Sequence, residues 1–315
     1  MDPTKILQRH PANPLLDPDD FPGINTLFNP SPFLLEGKIC LLVSVTKFNG
    51  GSEGRFRETR LATSEDGIHF TLADQALIDQ ESLPPPVNRL GGIIDNRVTK
   101  IGEEFYFISP QGTWEIGFSG CCAVMYKTRD FKDIECVDIV TLPGNRGSSL
   151  FPEKIGGFYW RLDRPGEGEM KGTVWISRSP DLIHWGHFRP LLAGGYAMWN
   201  TAKIGPTPPI RVAEGWLVIL HGVDQPCDGT HYYISAMLLD AENPGKILGK
   251  MHSYLLAPRE RYETTGQVDN VVFPCGALAF PERDELWLYY GAADTRVCLA
   301  VGTLSHVVEA CLKQL

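Results

Sequence analysis

Residues 66–70 read Asp-Gly-Ile-His-Phe, and residues 181–185 read Asp-Leu-Ile-His-Trp. The two stretches share an acid, an isoleucine, a histidine and a closing aromatic ring at the same spacing. Each follows a run of residues typical of a β-strand, and an aspartate at such a position commonly starts a tight turn. The reuse of one strand-and-turn unit at two distant places indicates a fold built from copies of a small sheet.

The same order of strand, turn, strand, loop and strand occurs five times, with the copies roughly 50–65 residues apart. The copies span residues 32–70, 97–137, 150–188, 209–256 and 275–301. A sheet of this size cannot bury both of its faces alone, so neighbouring copies pack around a shared axis. We therefore predict an all-β fold, a five-bladed β-propeller. A large β-sandwich or a pair of β domains is the alternative.

No linker rich in Pro, Gly or Ser separates the copies, so residues 1–315 are predicted to form a single domain. Residues 1–31 carry many prolines and are expected to form an extended N-terminal lead-in. At the other end, apolar residues recur at helical spacing and predict a short terminal helix. These residues are Val307, Val308, Cys311, Leu312 and Leu315.

The composition limits the classes of partner. Of the 315 residues, 43% are hydrophobic and 21% are charged, which is typical of a packed globular protein. The formal net charge of −9 argues against nucleic acid or an anionic membrane as the main partner. The sequence leaves the oligomeric state open, and a homo-oligomer is compatible with it.

The eight cysteines contain no C-x-x-C pair and no zinc-type spacing, and several lie inside apolar strand-like runs. The N-terminal residues lack the apolar stretch of a secretion signal, and no apolar run reaches the length of a membrane span. We expect a cytoplasmic protein with reduced thiols and no bound metal.

Asp95 lies directly after an apolar run and just before the strand-like residues 97–101. An acid at the start of a strand, at the mouth of a β-rich fold, is a common way to present a proton donor. Burial helps a carboxyl group keep its proton at higher pH, which a general acid needs near neutrality. The competing interpretation is an Asx turn formed by Asp95 and Asn96, and local sequence alone favours it.

Cationic and hydrogen-bonding residues lie beside predicted strand ends in successive copies. Singly, each has an ordinary explanation, such as a solvated ion pair or a structural histidine. Together they form the set expected to hold a phosphate group, with Arg forks, a Lys point charge and an imidazole. The set comprises Arg146, Arg164, Lys203, His221 and Tyr232.

Several separated segments resemble glycoside hydrolase family 130, the β-mannoside phosphorylases, in order from about Asn29 to about Val301. The matching segments are residues 91–99, 150–155, 161–165, 203–205, 208–210, 215–216, 221–223, 270–276 and 289–295. The resemblance implies a five-bladed propeller that cleaves a β-mannosidic bond with inorganic phosphate. The anomeric centre would be inverted and α-mannose 1-phosphate released.

By position, the resemblance makes Asp95 the general acid and assigns phosphate binding to Arg146, Arg164, Lys203, His221 and Tyr232. It places Asp294 on the mannose hydroxyls and makes Asn29 a further sugar contact. We add Arg97 and Asp163 as substrate-binding candidates. An inverting mechanism needs an acid on one face of the sugar and a nucleophile on the other, and phosphate removes the need for a second carboxylate. Hydrolytic members of the family lack the cationic set, so its presence favours phosphorolysis.

Two alternatives remain at this level. An inverting β-mannosidase would need a carboxylate base near the phosphate position, for which Glu153 and Glu167 are the candidates. A non-catalytic sugar-binding propeller is the other. The expected partners are a β-mannoside oligosaccharide and inorganic phosphate as co-substrate, without an organic cofactor. Acceptor preference is expected to depend on loops 48–58, 109–120 and 165–172.

Overall fold

A computed structural model describes residues 2–48, 55–166 and 172–315, and its strands form five antiparallel sheets. The strands are β1 Leu7–Arg9, β2 Thr26–Leu35, β3 Lys38–Phe48, β4 Arg55–Ser64, β5 Thr71–Leu72, β6 Arg97–Ile101, β7 Glu104–Gly112, β8 Cys121–Thr128, β9 Ile134–Ile139, β10 Asn145–Leu150, β11 Tyr159–Pro165, β12 Val174–Ser179, β13 Gly186–Leu192, β14 Lys203–Pro206, β15 Ile210–Val212, β16 Gly215–Asp224, β17 His231–Leu239, β18 Ile247–Lys250, β19 Val272–Pro274, β20 Leu278–Phe280, β21 Glu285–Ala292 and β22 Arg296–Thr303. The α-helices are α1 Arg261–Thr264 and α2 Leu304–Leu312.

Each sheet is one blade of a propeller. Blade 1 has the strand order β2-β3-β4-β5, blade 2 β6-β7-β8-β9 and blade 3 β10-β11-β12-β13. Blade 4 has the order β14-β16-β17-β18, with β15 also paired to β16, and blade 5 contains β19, β21 and β22, with β20 paired to β21. The first strands of successive blades contact one another: β2 contacts β6, β6 contacts β10, and β10 contacts β14. The first strand of blade 5, β19, contacts β2 of blade 1 and so completes the ring. The predicted five-bladed β-propeller is thus confirmed.

The N-terminal segment closes the ring. β1 pairs antiparallel with β22, so blade 5 combines strands from both ends of the chain. The expectation of an extended lead-in over residues 1–31 is wrong in this respect, because β1 is paired and β2 already begins at Thr26. The sequence did not reveal this pairing because β1 is short and lies in a proline-rich segment. Its partner strand, β22, is almost 300 residues away in the sequence.

A buried ion pair fastens this closure. The Glu263 carboxylate accepts hydrogen bonds from Arg9 Nε and Nη2, both at 2.7 Å. The Tyr290 hydroxyl also donates to Glu263, at 2.7 Å. Glu263 is fully buried, and such a pair is stable only when the charges are well matched by hydrogen bonds, as they are here.

Apolar side chains fill the spaces between adjacent blades. Between blades 1 and 2, the rings of Phe33, Phe105 and Phe131 pack together, with the Phe33 and Phe131 centroids 4.3 Å apart. Helix α2 packs against blades 4 and 5 and buries Val307 and Cys311, which lie four residues apart on one face. The predicted C-terminal helix is therefore present. None of the helices in the described ranges is long and apolar enough to cross a lipid bilayer.

The repeated sequence motif forms the same turn in both places. Asp66 Oδ1 accepts from the backbone N–H groups of Ile68 and His69, at 2.8 and 2.9 Å. Asp181 Oδ1 accepts from the N–H groups two and three residues on, at 3.0 and 2.8 Å. These hydrogen bonds, together with one from the following histidine ring, hold the pKa of both aspartates below the usual value.

Candidate active site

Asp95 lies immediately before β6, the first strand of blade 2, and its side chain is buried. Its backbone has φ of 54°, a left-handed conformation that is uncommon for a residue with a side chain. The Asp95 N–H donates to Ser44 Oγ of blade 1 at 2.9 Å. Asp95 Oδ1 accepts from Asn29 Nδ2 at 2.8 Å, and Oδ2 lies 3.9 Å from Arg146 Nη2 of blade 3. The carboxyl group therefore lies where three blades meet.

Asn29 sits at an irregularity in β2, with φ of 48° and a register shift between Phe28 and Ser31. The neighbouring strand approaches it closely at Gly291, where a Cβ atom would lie only 2.3 Å from Asn29 Oδ1. Only glycine leaves room for this amide. The close contact brings the end of β21 in blade 5 beside the acid.

The cations of blades 3 and 4 gather around small residues. A Cβ atom at Gly205 would lie 2.3 Å from His221 Cε1 and 2.7 Å from Arg164 Cδ. One at Gly172 would lie 2.9 Å from Lys203 Cβ and 3.6 Å from Arg164 Nη1. Arg164 is therefore flanked by His221 and Lys203. Gly205 of β14 is paired with His221 of β16, and the absence of a side chain at Gly205 leaves room for the imidazole.

The aromatic side chains of Tyr232 and Phe273 lie against this cationic group. Lys203 Nζ donates to the Tyr232 hydroxyl at 2.9 Å. The Phe273 ring lies 4.5 Å from the His221 ring and 6.1 Å from the Tyr232 ring, measured between centroids. The Arg97 guanidinium lies 5.7 Å from the centre of Phe273. Phe273 was not predicted as a site residue, although it falls in the matching segment 270–276.

Burial among cations sets the protonation state of His221. Its pKa is lowered well below 6.5, first by burial and then by Arg164, Arg97, Lys203 and Arg146. The imidazole is therefore neutral near pH 7 and can donate one hydrogen bond while its other ring nitrogen accepts. His221 Nδ1 has no hydrogen-bond partner among the described residues.

Asp294 follows the end of β21 and is also left-handed, with φ of 46°. Burial raises its pKa to about 7, and the charge of Asp95 adds to the effect, whereas Arg146 and Lys203 oppose it. These electrostatic neighbours place Asp294 in the same axial cluster as the acid and the cations. A carboxyl group that titrates near 7 can accept or donate hydrogen bonds to sugar hydroxyls.

The Arg97 side chain contacts the backbone of the acid loop and adds a positive charge to the site. Its Nη1 donates to the backbone carbonyl of Asp95, and the side chain is buried. This bond points the guanidinium along the acid's own loop, beside the rest of the cationic group.

Asp163 lies outside the cluster, and its hydrogen bonds favour a role in the packing of blade 3 over the substrate-binding role predicted for it. Its two oxygens lie 2.8 and 3.0 Å from Arg161 Nε. They also accept from the side chains of Asn145, Ser148 and Ser177, at 3.0, 2.8 and 3.0 Å. This network ties three strands of blade 3 together and leaves the carboxylate no capacity for a ligand. Arg161 and Asp163 face away from Arg164, as strand alternation predicts.

Glu153, one of the two proposed hydrolytic bases, does not lie at the site. Glu153 is exposed and follows the end of β10 that lies away from Arg146. Glu167 lies outside the described residues, as do parts of loops 48–58 and 165–172. In loop 109–120, the aromatic side chains of Trp114 and Phe118 are exposed.

The chemistry of the cluster follows from its charges. A carboxyl group and an amide lie on one side, and three arginines, a lysine and a neutral histidine lie around it. Such a cationic group suits a dianion such as phosphate. In the described parts of the chain, His, Cys, Asp and Glu side chains form no group of three that could hold a metal ion.

Comparisons with known proteins agree with this geometry. A family model described as beta-1,4-mannooligosaccharide phosphorylase matches residues 14–313. A Ruminococcus albus protein named beta-1,4-mannooligosaccharide phosphorylase is 35% identical over 311 residues, covering 96% of this chain and 90% of its own length. A Listeria innocua beta-1,2-mannobiose phosphorylase is 34% identical over 262 residues, covering 79% of this chain and 68% of its own.

A solved structure shows the same architecture. The beta-1,2-mannobiose phosphorylase from Listeria innocua, in complex with beta-1,2-mannobiose, superposes with a TM-score of 0.85 and 26% sequence identity. The superposition covers 97% of this chain and 99% of that structure. With a family model matched over nearly the whole chain and two relatives above 30% identity, the resemblance is confirmed: this chain belongs to glycoside hydrolase family 130.

Proposed function

We propose that this chain is an inverting phosphorylase that cleaves a β-mannosidic bond with inorganic phosphate and releases α-mannose 1-phosphate. The observation that carries the proposal is the position of Asp95 in a ring of cations. Its Oδ2 lies 3.9 Å from Arg146, and Arg146, Arg164, Arg97 and Lys203 all act electrostatically on the buried His221.

Asp95 supplies the proton. In the reaction, the carboxylic acid protonates the glycosidic oxygen while a phosphate oxygen forms a bond to the mannose C1 from the opposite face. The C1–O bond to the acceptor sugar breaks, and its electron pair stays on the oxygen that receives the proton. The hydrogen phosphate proton passes to solvent, and Asp95 regains a proton from solvent for the next cycle.

Phosphate takes the place of the base used by a hydrolase. Arg146 and Arg164 offer planar forks, Lys203 a point charge, and Tyr232 a hydroxyl that is already fixed by Lys203 at 2.9 Å. The neutral His221 donates a single hydrogen bond without adding another charge to the cluster. Each hydrogen bond to a charged oxygen contributes about 1.5–3 kcal/mol, enough for several together to bind a small dianion.

Mannose would occupy the space between Asp95 and Asp294. Asn29 donates to Asp95, and its buried Oδ1, which has no hydrogen-bond partner among the described residues, is available to a sugar hydroxyl. The raised pKa of Asp294 lets this carboxyl serve as donor or acceptor at neutral pH. The relatives named above act on β-1,4-linked and β-1,2-linked mannosides, so we propose a β-mannoside oligosaccharide with either linkage as substrate.

We further propose that the enzyme works in the cytoplasm without an organic cofactor or a metal. Support comes from the cysteines, which are free thiols in the structure, most of them buried in the blades. Burial raises the pKa of several of these thiols, for example that of Cys275 to about 12, which makes them unreactive.

A product assay with and without phosphate tests the proposal. The enzyme is incubated with β-1,4-mannobiose or β-1,2-mannobiose, and mannose 1-phosphate and free mannose are quantified. We expect mannose 1-phosphate from at least one of the two, formed only when phosphate is present. Free mannose as the sole mannosyl product, at a rate independent of phosphate, would show a hydrolase. Binding of both disaccharides without turnover would show a sugar-binding propeller.

A further inference from the structure

The loop that carries the acid is held by three buried hydroxyl groups from other strands. Ser44 of β3 accepts from the Asp95 N–H at 2.9 Å. Ser109 of β7 donates to the Ile94 carbonyl at 2.9 Å and accepts from the Ile94 N–H at 3.2 Å. These hydroxyls bind the backbone of two successive residues, including the acid itself.

The third hydroxyl, that of Thr59, forms hydrogen bonds to residues on both sides of Asp95 in the sequence. Thr59 Oγ1 donates to the carbonyl of Ile93 at 2.7 Å and accepts from the side-chain amide of Asn96, also at 2.7 Å. One oxygen therefore connects the residue two positions before Asp95 with the residue directly after it. The path of the chain between these points is fixed from a neighbouring blade, because Thr59 belongs to β4.

Such support is needed because the acid's backbone is strained. Asp95 has φ of 54°, and residues with a side chain hold this conformation only where the surroundings impose it. A relaxed, extended conformation would turn the carboxyl away from Asn29. Thr59 is 2% exposed and Asn96 is fully buried, so water cannot easily replace the hydrogen bonds if the hydroxyl is removed.

We propose that Thr59 is a positioning residue for the general acid and acts through the backbone of residues 93–96. Ser109 and Asn96 contribute to the same function. The inference rests on the proposed phosphorolysis, since it assigns Thr59 to the step in which Asp95 protonates the leaving oxygen. Thr59 itself contacts no substrate in this scheme.

The test compares two buried threonines whose hydroxyls each donate to a backbone carbonyl, and Thr59 accepts a hydrogen bond from the Asn96 side chain in addition. Thr207 in blade 4 is fully buried, and its hydroxyl donates to the Ile219 carbonyl of the same blade at 3.0 Å. Thr59→Val and Thr207→Val each delete one such hydroxyl while conserving shape. We expect Thr59→Val to lower kcat on mannobiose by about 10-fold to 100-fold, with the KM for phosphate within about twofold of the wild type. Thr207→Val should leave kcat within about twofold, and Thr59→Ser should restore most of the rate.

A second substrate separates positioning from general damage. An aryl β-mannoside with a nitrophenolate leaving group needs little proton transfer, so the loss in Thr59→Val should shrink to less than about threefold on it. Equal losses on mannobiose and the aryl mannoside, or equal kcat values for the two valine variants, would overturn the inference. If Thr59→Val does not fold, Ser109→Ala gives the same comparison with Ser235→Ala, since Ser235 also donates to a backbone carbonyl, at 2.8 Å. Wild-type enzyme that makes no mannose 1-phosphate would instead refute the proposed function.

Discussion

Asp95 and Asp163 are both buried aspartates beside arginines, yet their surroundings differ sharply. The Asp163 oxygens lie near four donor side chains, including the buried Arg161, at 2.8–3.0 Å. Asp95 accepts one hydrogen bond, from the Asn29 amide, and its nearest cation Arg146 lies at 3.9 Å. Within the described residues, the Asp163 carboxylate is saturated with hydrogen bonds, whereas the Asp95 carboxylate can accept further hydrogen bonds from a ligand.

Under the proposed function, this difference separates a structural carboxylate, Asp163, from the proposed general acid, Asp95. A saturated carboxylate in a buried ion pair serves the fold, whereas a general acid must hold and release a proton. The number of donors around a buried acid is therefore more informative than the presence of a neighbouring arginine. Each prediction below tests one side of this contrast.

Asp95→Asn should give the largest effect, and it should appear in the rate. The amide keeps the shape and can still contact Asn29 but cannot protonate the leaving oxygen, so phosphorolysis of mannobiose should fall by about 10²-fold to 10⁴-fold. The free energy of unfolding in urea should change far less than in the Asp163 variant below. A variant that loses stability and activity together would make Asp95 a structural residue.

Asp163→Ala should show the reverse, with its main effect on stability. Removal of the carboxylate leaves Arg161 charged and buried without its partner, which costs about 3–5 kcal/mol in comparable cases. The measurement is urea unfolding followed by tryptophan fluorescence. Asp163→Asn, which keeps some of the hydrogen bonds, should lose less. Unchanged stability with a raised KM for mannobiose would restore Asp163 as a substrate-binding residue.

Arg164→Ala should affect phosphate rather than the fold. The loss of a charged, forked donor should raise the KM for phosphate by about 10-fold to 100-fold. The midpoint of thermal unfolding in phosphate-free buffer should move little. Exposed Arg189 of blade 3 provides the control, and Arg189→Ala should leave both quantities unchanged. Equal losses of stability and phosphate affinity in Arg164→Ala would contradict the assignment.

The smallest predicted effect is on the pH dependence of stability. The folded pKa of Asp294 is about 7, above the ordinary 3.8, so its stabilising contribution is full below about pH 4 and is lost as the pH rises towards 7. The stability of the wild type relative to Asp294→Asn should therefore decrease over this range. Asp181 should change the stability in the opposite direction with pH. Because its folded pKa is lowered, its contribution to the free energy of unfolding is present above pH 3.8 and is lost on acidification. A pH-independent difference for Asp294→Asn would show that the carboxyl is not buried in the way described.

The fold could be predicted because its signal is local and repeated. Strand alternation and the turn at Asp66 and Asp181 are properties of short segments, and five copies are enough to imply a ring. The pairing of β1 with β22 could not be predicted in this way. It joins the two ends of the chain, and three strand residues give no clear pattern.

The site could be predicted only in outline. The family resemblance located the acid and the cations by position, but the residues that hold them gave no signal of their own. Ser44, Thr59 and Ser109 are ordinary strand residues in sequence, and their role appears only when three strands converge on the acid loop. Strand alternation gives the side of β11 on which Asp163 lies, but it does not give the number of donors around the carboxylate.

The stereochemistry of the product tests the central claim, that the acid and the phosphate site lie on opposite faces of one sugar. β-1,4-mannobiose and β-1,2-mannobiose are incubated in turn with enzyme and phosphate, and the anomeric configuration of mannose 1-phosphate is followed by proton NMR from the first turnovers. The account predicts the α-anomer alone from the start of the reaction. A first-formed β-anomer would mean retention of configuration. It would contradict a single displacement in which Asp95 is the acid and phosphate, bound by Arg146, Arg164, Lys203 and His221, is the nucleophile on the opposite face of the sugar.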